Sequence, residues 1–516
     1  MNEQPVSLAQ RSFLPLLALG ILDRLYLLLV FGFKYVGDDD GVIWTAAVDY
    51  GHGLFREPYF YGQDYAFMLE ALVAAPFTHL GMPFYILMPT VTSLLALSPF
   101  WSFAFWHRKH QRPVAALVFL AMPVLLPLEY GMMTTITRCF ISGIAPLAFL
   151  PWITDMRSDK ARLLLFGLVG SAAAFINPNS LIFSLAFVVW SVMDASNKKQ
   201  AVAWTWLGML PFTAAYLAAQ SYCRTHPERM VHVVNDWRMT FHPGELIPES
   251  LGMLNLHFAW LFPLLPTMGG LAFALLIALS AWNFRRGDGS RGLALSAAVV
   301  MIIVSFAFPK THDGTDSVFY SYSRMYLALP LLLCWGSGPL IMSLRAANWS
   351  TLILLCGSVL AVVIKLDRTA EFVKMPIASE VPVLELPVEL LIADAANLRL
   401  LKEQYHVDLI VGNSQWDDNI KARFRGYIDP ILEPALTPLY VQGDRRYWQR
   451  GTYAPMIAPT LLVMGGDSAR WASWSAREEY ILDVSDERFG PLHVIRGNTE
   501  RTDSLLERFS RMPGHE

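Results

Sequence analysis

Charge is what this chain has least of. Of its 516 residues only 16% are Asp, Glu, Lys or Arg, and the formal net charge is −3. No basic stripe is present, which argues against a nucleic-acid partner. Cysteine is scarce too. Cys334 and Cys356 fall within apolar runs and read as core fillers. Cys139 and Cys223 both fall in outer-side segments, where a disulfide is chemically possible, although two free thiols is the preferred reading. A signal-peptide cleavage pattern is missing from Met1 to Arg11, so the first apolar run reads as a retained helix. No internal repeat stands out. Gly465-Gly466 after an apolar run falls far short of a nucleotide fingerprint.

What is abundant is hydrophobic sequence: 54% of residues, with a mean hydropathy of +0.37, far above a soluble protein of this length. Between Gln10 and Leu366, Lys and Arg gather in short clusters separated by long apolar runs; after Leu366 the charge becomes ordinary. The chain therefore reads as an α-helical polytopic membrane protein over 1–366, followed by a soluble domain over 367–516. Eleven spans are predicted, near 13–33, 84–106, 114–132, 140–154, 163–176, 180–194, 202–221, 256–284, 292–308, 325–344 and 349–366. The 256–284 run fits one long tilted helix or a broken one.

The basic residues set the expected orientation. Arg108, Lys109 and Arg112 follow the second span, and Arg157, Lys160 and Arg162 the fourth. Lys198 and Lys199 follow the sixth, Arg285, Arg286 and Arg291 the eighth, and Arg345 the tenth. Every even span is followed by a basic turn, so those turns and the N-terminus are expected in the cytoplasm. The first loop, about 34–83, and everything after Leu366 are expected outside.

The polar chemistry collects in three outer loops. Asp38-Asp39-Asp40 directly follows the first span, and three adjacent carboxylates must stand in water. They can serve as a base, hold a divalent cation, or cap a helix starting near Gly41, for which one Asp suffices. The first loop reads as two short amphipathic helices near Gly41–Tyr50 and Tyr65–Leu80, and its Trp44, Tyr50, Tyr59, Phe60, Tyr61 and Tyr65 suit the interfacial zone. The second loop holds His226, Arg229, His232, Asp236, His242 and Glu245, without a zinc spacing. The third holds Lys310, His312, Asp313 and Asp316 and ends at Arg324. Within the first span, Asp23 and Arg24 are expected to face the bundle and pair there. Asn177-Pro178-Asn179 reads as a tight outer turn.

Several of these stretches resemble a known family. Gly37-Asp38-Asp39-Asp40, an aromatic-rich short helix and then Gly51-His52-Gly53 are similar to the first outer loop of GT-C-fold glycosyltransferases of the protein mannosyltransferase and lipid A aminoarabinose transferase type, where a Gly follows the acidic pair by about fourteen residues, as Gly53 follows Asp39. Tyr61-Gly62-Gln63-Asp64-Tyr65, Leu69-Glu70-Ala71 and Ala74-Ala75-Pro76-Phe77 resemble the next segment of such enzymes. Tyr322-Ser323-Arg324-Met325-Tyr326-Leu327-Ala328-Leu329-Pro330 is similar to their arginine motif. The chain departs from the pattern in having three Asp where the family has a pair, and Met325 after the arginine. The resemblance covers roughly 10–345.

The resemblance implies transfer of a sugar from a polyprenyl-phosphate carrier to a lipid, glycan or protein acceptor at the outer face of a bacterial inner membrane. One carboxylate among Asp38, Asp39 and Asp40, with Asp39 preferred, would act as base. Arg324, with Lys310 and Arg138 behind it, would stabilise the departing phosphate. Tyr61, Gln63, Asp64, Tyr65, Glu70, His232 and His242 are candidate substrate contacts. Crowded carboxylates also admit a divalent cation, Mg or Mn, on Asp39, Asp40 and Asp64. Asp64 and Glu70 read equally as solvated residues of an interfacial helix, and Arg324 as a headgroup anchor. The competing classes are a transporter or flippase of a lipid-linked glycan, which would be expected to show repeats and broken helices, and a non-catalytic subunit with the same fold.

After Leu366 the pattern changes. Glu389–Tyr405 has helical period, and Val407–Gly412, Leu461–Asp467 and Tyr480–Val484 read as strands, so a small extracytoplasmic α/β domain is expected. Trp416, Tyr447, Trp448, Trp471 and Trp474 fit half-buried core, or a platform for sugar rings.

Overall fold

Ser7 starts the first helix, Leu8–Leu27, through a capping box: its hydroxyl accepts from Gln10 N, and its own N–H donates to the Gln10 side chain. The computed structural model describes residues 7–231, 233, 239–315, 318, 321–338, 344–374, 386–412, 428–441, 445–464, 480–485, 489 and 492–510. Among these, four helices are long and apolar enough to cross a membrane: Leu8–Gly32, Phe84–Lys109, Lys198–Thr225 and Arg345–Ala370. Other apolar runs form shorter helices, among them Pro113–Leu125, Gly270–Arg285 and Gly289–Ser305. Backbone geometry explains the shortening. The 256–284 run is broken: a helix ends at His257, Trp260 and Leu264 adopt positive φ of 62° and 61°, and helix resumes at Gly270. The run near 325 opens as a 3-10 turn, Tyr322–Tyr326, and its helix spans only Leu329–Ser337 before Gly338 turns the chain.

The chain divides into two compact units. The first comprises 1–33, 64–222 and 233–383. Its core is aromatic and aliphatic, with Phe13, Phe100, Phe119, Phe183, Phe258 and Tyr326 each at most 2% exposed. Charge buried there is paired or hydrogen-bonded. Lys365 Nζ meets Asp23 Oδ2 at 2.9 Å with both side chains buried. Arg24 donates to Gly131 O at 3.2 Å and Thr134 Oγ1 at 2.9 Å. Arg368 forks onto Glu129, with Nη1–Oε2 at 3.0 Å. Asp23 and Arg24 thus face the bundle. Of the cysteines, Cys139, Cys223 and Cys334 are buried free thiols, whereas Cys356, expected in a core, is exposed.

The second unit comprises 34–63, 223–232 and 384–516, so the first half of the first loop clusters with the C-terminal segments. A short antiparallel pair ties them, β1 (Tyr35–Val36) with β2 (Leu386–Pro387), and Val388 N donates to Lys34 O at 2.8 Å. The main sheet contains β3 (Leu409–Gly412), β4 (Leu439–Val441), β5 (Thr460–Met464), β6 (Ile481–Asp483) and β7 (Leu492–Arg496), in the order β4-β3-β5-β7-β6. β3 runs parallel to β4 and β5, with Leu409 beside Leu461; β7 is antiparallel to β5 and β6. Alternate residues pack into two cores. Leu409, Val411, Leu461, Val463 and Ile495 face one side; Ile410, Leu462, Val494 and Leu398 of the Val388–Tyr405 helix face the other. A sheet covered on both faces reads as a continuous apolar run, which is why β3 and β5 are so plain in the sequence.

Candidate active site

In the second unit the triple aspartate forms the first turn of the Asp38–Gly51 helix, three residues earlier than Gly41, where the sequence reading starts it. Gly37 is the N-cap, and its N–H donates to Asp40 Oδ2 at 3.0 Å, so Asp40 is the buried capping carboxylate. Asp39 points elsewhere. Its Oδ1 accepts from Arg445 Nη1 at 2.8 Å, in a pair whose two side chains are 26% and 28% exposed. The side chain of Asp38 lies outside the described residues. One aspartate is therefore structural, and another is held by a cation from 406 residues away.

Arg445 is fixed by its surroundings. Its Cζ stands 5.6 Å from the Phe60 ring centre, and its Cβ would lie 2.9 Å from a Cβ placed on Gly62. Gly62 also has φ +75°, so both the turn and the close approach require glycine there. Gly53 at φ +74° has open space around it and serves to end the Asp38–Gly51 helix in the left-handed region. Tyr61 is fully buried and donates to Asp49 Oδ2 at 2.9 Å, which Arg56 Nε also meets at 3.2 Å. Burial, followed by the Asp49 charge, raises the Tyr61 phenol far above its usual range. Tyr61 is thus a buried strut. In this structure no part of it is offered to substrate.

Tyr447 and Trp448 are half-buried, and their rings are covered rather than open as a sugar platform. Arg229 covers Tyr447 at 4.0 Å, Arg56 covers Trp448 at 4.5 Å, and Tyr61 meets the Trp448 ring edge-on at 4.7 Å. Glu57, which sequence reasoning missed, accepts from Gly62 N at 2.7 Å and is 4% exposed. Burial pushes its carboxyl up to about 7, against the opposing pull of the Gly62 hydrogen bond, Arg229 and Arg450. Nothing in its sequence neighbourhood marks it, because the burial is made by distant segments.

In the first unit the predicted cations do gather. Lys310 Nζ lies 3.2 Å from Asp313 Oδ2, and Arg324 Nη2 lies 3.7 Å from the same oxygen while also donating to Asp313 O. Lys310 stands 5.6 Å from the Tyr65 ring and Arg324 5.7 Å from Phe140. Lys310, Arg324 and Tyr65 therefore share one neighbourhood. Arg324 is 8% exposed, too buried for a simple headgroup anchor. Its 3-10 turn, Tyr322–Tyr326, packs against His257, a fully buried ring 5.4 Å from Tyr322 and 5.5 Å from His312. His257 carries no motif, and the sequence reading passed it over.

The remaining candidates separate. Arg138 is buried beside Cys139, in the turn before Ser142. Glu70 is fully buried and accepts from Cys139 N at 3.0 Å, which overturns the solvated-face expectation: it holds a turn where Cys139 has φ +58°. Asn177 completes that turn by donating to Cys139 O at 2.7 Å. Asp64 is likewise buried rather than solvated, and its carbonyl accepts from Gln220 Nε2 at 2.8 Å. Gln63 is half-buried. His242 is exposed and bonded to Thr240 Oγ1 at 2.9 Å. His232, Asp236, Asp316, Trp416, Trp471 and Trp474 lie outside the described residues.

For a divalent cation the fit is poor. One oxygen each of Asp39 and Asp40 is engaged by a protein donor, and no cluster of three His, Cys, Asp or Glu side chains converges among the described residues.

No family model and no curated protein sequence matches the chain. Solved structures do. Crystal structures of ArnT from Cupriavidus metallidurans, in the apo state and bound to undecaprenyl phosphate, match 92% of this chain and 97% of theirs. The identity is 12% and the TM-score 0.55 in both cases. This chain has the ArnT fold. It is a GT-C-like fold, as the first-loop motifs implied. The ArnT likeness extends well past the 10–345 region those motifs cover, and at 12% identity it is a likeness of fold alone.

Proposed function

We propose that this chain is an integral-membrane glycosyltransferase that moves a sugar from a polyprenyl-phosphate donor to an acceptor at the outer face of the membrane. The observation that carries the reading is the division of labour in the first turn of the Asp38–Gly51 helix. Asp40 is consumed as a cap, whereas Asp39 is half-exposed and oriented by Arg445. An ArnT structure bound to undecaprenyl phosphate supports the lipid-phosphate donor.

The chemistry follows from those groups. Asp39 takes the proton of an acceptor hydroxyl as its oxygen attacks the anomeric carbon of the sugar. The bond from that carbon to the phosphate oxygen breaks, and the polyprenyl phosphate leaves with the electron pair. Its growing negative charge needs cations rather than a proton, the role proposed for Arg324 and Lys310. One displacement inverts the anomeric centre. The basic turns after the predicted even spans support a cytoplasmic N-terminus with the first loop outside.

The test is transfer in proteoliposomes supplied with a panel of polyprenyl-phosphate sugars and membrane extract as acceptor. Wild type should consume donor, and Asp39→Asn should lose at least about 100-fold in rate, the usual worth of a positioned base. Asp40→Asn should instead lower stability. Equal donor consumption by wild type and Asp39→Asn would sink the assignment of the base. Intact glycolipid crossing the bilayer in both proteins would replace the transferase with a transporter.

A further inference from the structure

The bundle unit holds a second chemically distinctive place, far from Lys310 and Arg324. Arg291 sits at the start of the Gly289–Ser305 helix and Lys310 follows its end, so about 25 Å of helix lies between them. Near Arg291 is a cavity of about 350 Å³. Phe103, Phe187 and Trp190 are among its walls, and His107, Arg112, Arg162 and Arg291 also line it. Three basic turns that the sequence spaces far apart, after the Phe84–Lys109 helix, before Leu163 and before Leu293, thus converge on one space.

Its charges are already sorted. Asp155 is saturated by Trp106 Nε1 at 3.0 Å, Lys109 Nζ at 3.1 Å and His110 Nε2 at 3.0 Å. Arg162 meets Asp159 at 3.0 Å; Asp194 also lines the cavity but is exposed to solvent. Two indole faces are covered by guanidinium groups, Trp106 by Arg112 at 5.6 Å and Trp335 by Arg291 at 5.1 Å. A cationic ligand would therefore find two of the indole faces occupied and Asp155 engaged. Donors, by contrast, are left over. Arg291 reaches Asp288 at 3.2 Å, yet its Nε is buried and has no partner among the described residues. Nδ1 of His107, a residue only 6% exposed, is also without a partner there and donates in the tautomer that protonates it. Arg112 has no carboxylate partner among the described residues. Buried donors without acceptors are costly, and a tetrahedral oxyanion presents several acceptors at once.

We propose that this cavity is a second binding site, separate from the transfer chemistry, and that it takes a phosphate-bearing anion. A phospholipid headgroup and free phosphate share that chemistry. The aromatic walls and the exposed Phe149 and Trp152 nearby favour the lipid, whose chains would leave along apolar surface.

The full-length protein in nonionic detergent tests this directly, because Trp106, Trp190 and Trp335 line the cavity and report occupancy by fluorescence. Dioctanoyl phosphatidic acid, inorganic phosphate and dioctanoylglycerol would be titrated in turn. Phosphatidic acid should give a saturable change and dioctanoylglycerol none. Arg112→Gln, an exposed position whose loss breaks no described ion pair, should weaken phosphatidic acid binding about tenfold or more, and Arg291→Gln at least as much. Inorganic phosphate competing at equal concentration would support the anion site and assign it to a soluble phosphate. Phosphate competing only in large excess would assign it to the lipid. A response equal for dioctanoylglycerol, no saturable response in wild type, or unchanged affinity in Arg112→Gln would overturn the proposal. The readout does not depend on transfer activity.

Discussion

The two units treat an ion pair in opposite ways. In the bundle unit Lys365 and Asp23 are sealed, with side chains 4% and 6% exposed. In the sheet unit Asp39 and Arg445 are each about a quarter exposed. A sealed pair holds helices in register and offers nothing to a substrate; a half-open pair orients a carboxylate that water and small molecules can reach. The difference separates structural charge from chemical charge in a chain that has little of either.

Breaking the sealed pair should have the largest effect on stability. Lys365→Met leaves Asp23 buried without its cation and should cost about 3–5 kcal/mol, read by thermal unfolding in detergent. Adding Asp23→Asn should recover much of the loss. A single variant as stable as wild type would mean that the pair is not sealed in the membrane. Gly62→Ala comes next. It forces a side chain into a left-handed position and against Arg445, and about 1–3 kcal/mol of destabilisation is expected. Transfer activity should fall with it, since Arg445 must shift.

Arg445→Gln sharpens the contrast. Half-exposed pairs contribute about 0.2–1 kcal/mol to stability, so unfolding should barely change while the transfer rate drops. An equal fractional loss of stability and rate would make this pair as structural as the buried one. A pH slope is expected from Glu57. Its carboxyl is raised to about 7 when folded, above its ordinary value, so the folded state holds the proton longer than the unfolded chain. That contribution is complete at pH below about 4.5 and fades as pH rises toward about 7. Glu57→Gln should flatten the unfolding midpoint between those limits, and an unchanged slope would place the titration elsewhere.

Legibility followed the reach of each signal. The helices at Leu8–Leu27 and Phe84–Lys109, the Val388–Tyr405 helix and the strands β3, β5 and β6 are visible because apolar period is local. β4 and β7 went unread although Pro438 and Gly443 flank one and Gly490-Pro491 and Gly497 the other: each run is short, and its place in the sheet comes from pairing with partners far along the chain. At the site, the Asp38–Asp40 cluster and Arg324 were readable because charge is rare in this sequence. The partner of Asp39 was not, since no local pattern selects Arg445 among the arginines. Glu57 and His257 were invisible for the same reason, and the solvated alternative for Glu70 arose from judging a carboxylate by its type.

By itself the sequence determined that apolar segments must leave water, where the basic turns fall, and that a carboxylate cluster follows the first span. Those are properties of composition and spacing, and they survive any arrangement of the helices. Only the tertiary structure decided which aspartate caps and which is held by Arg445, that Lys310 and Arg324 share Asp313, and that three basic turns converge on one cavity. Each of these depends on contacts between residues tens to hundreds of positions apart, fixed by packing that no local pattern encodes.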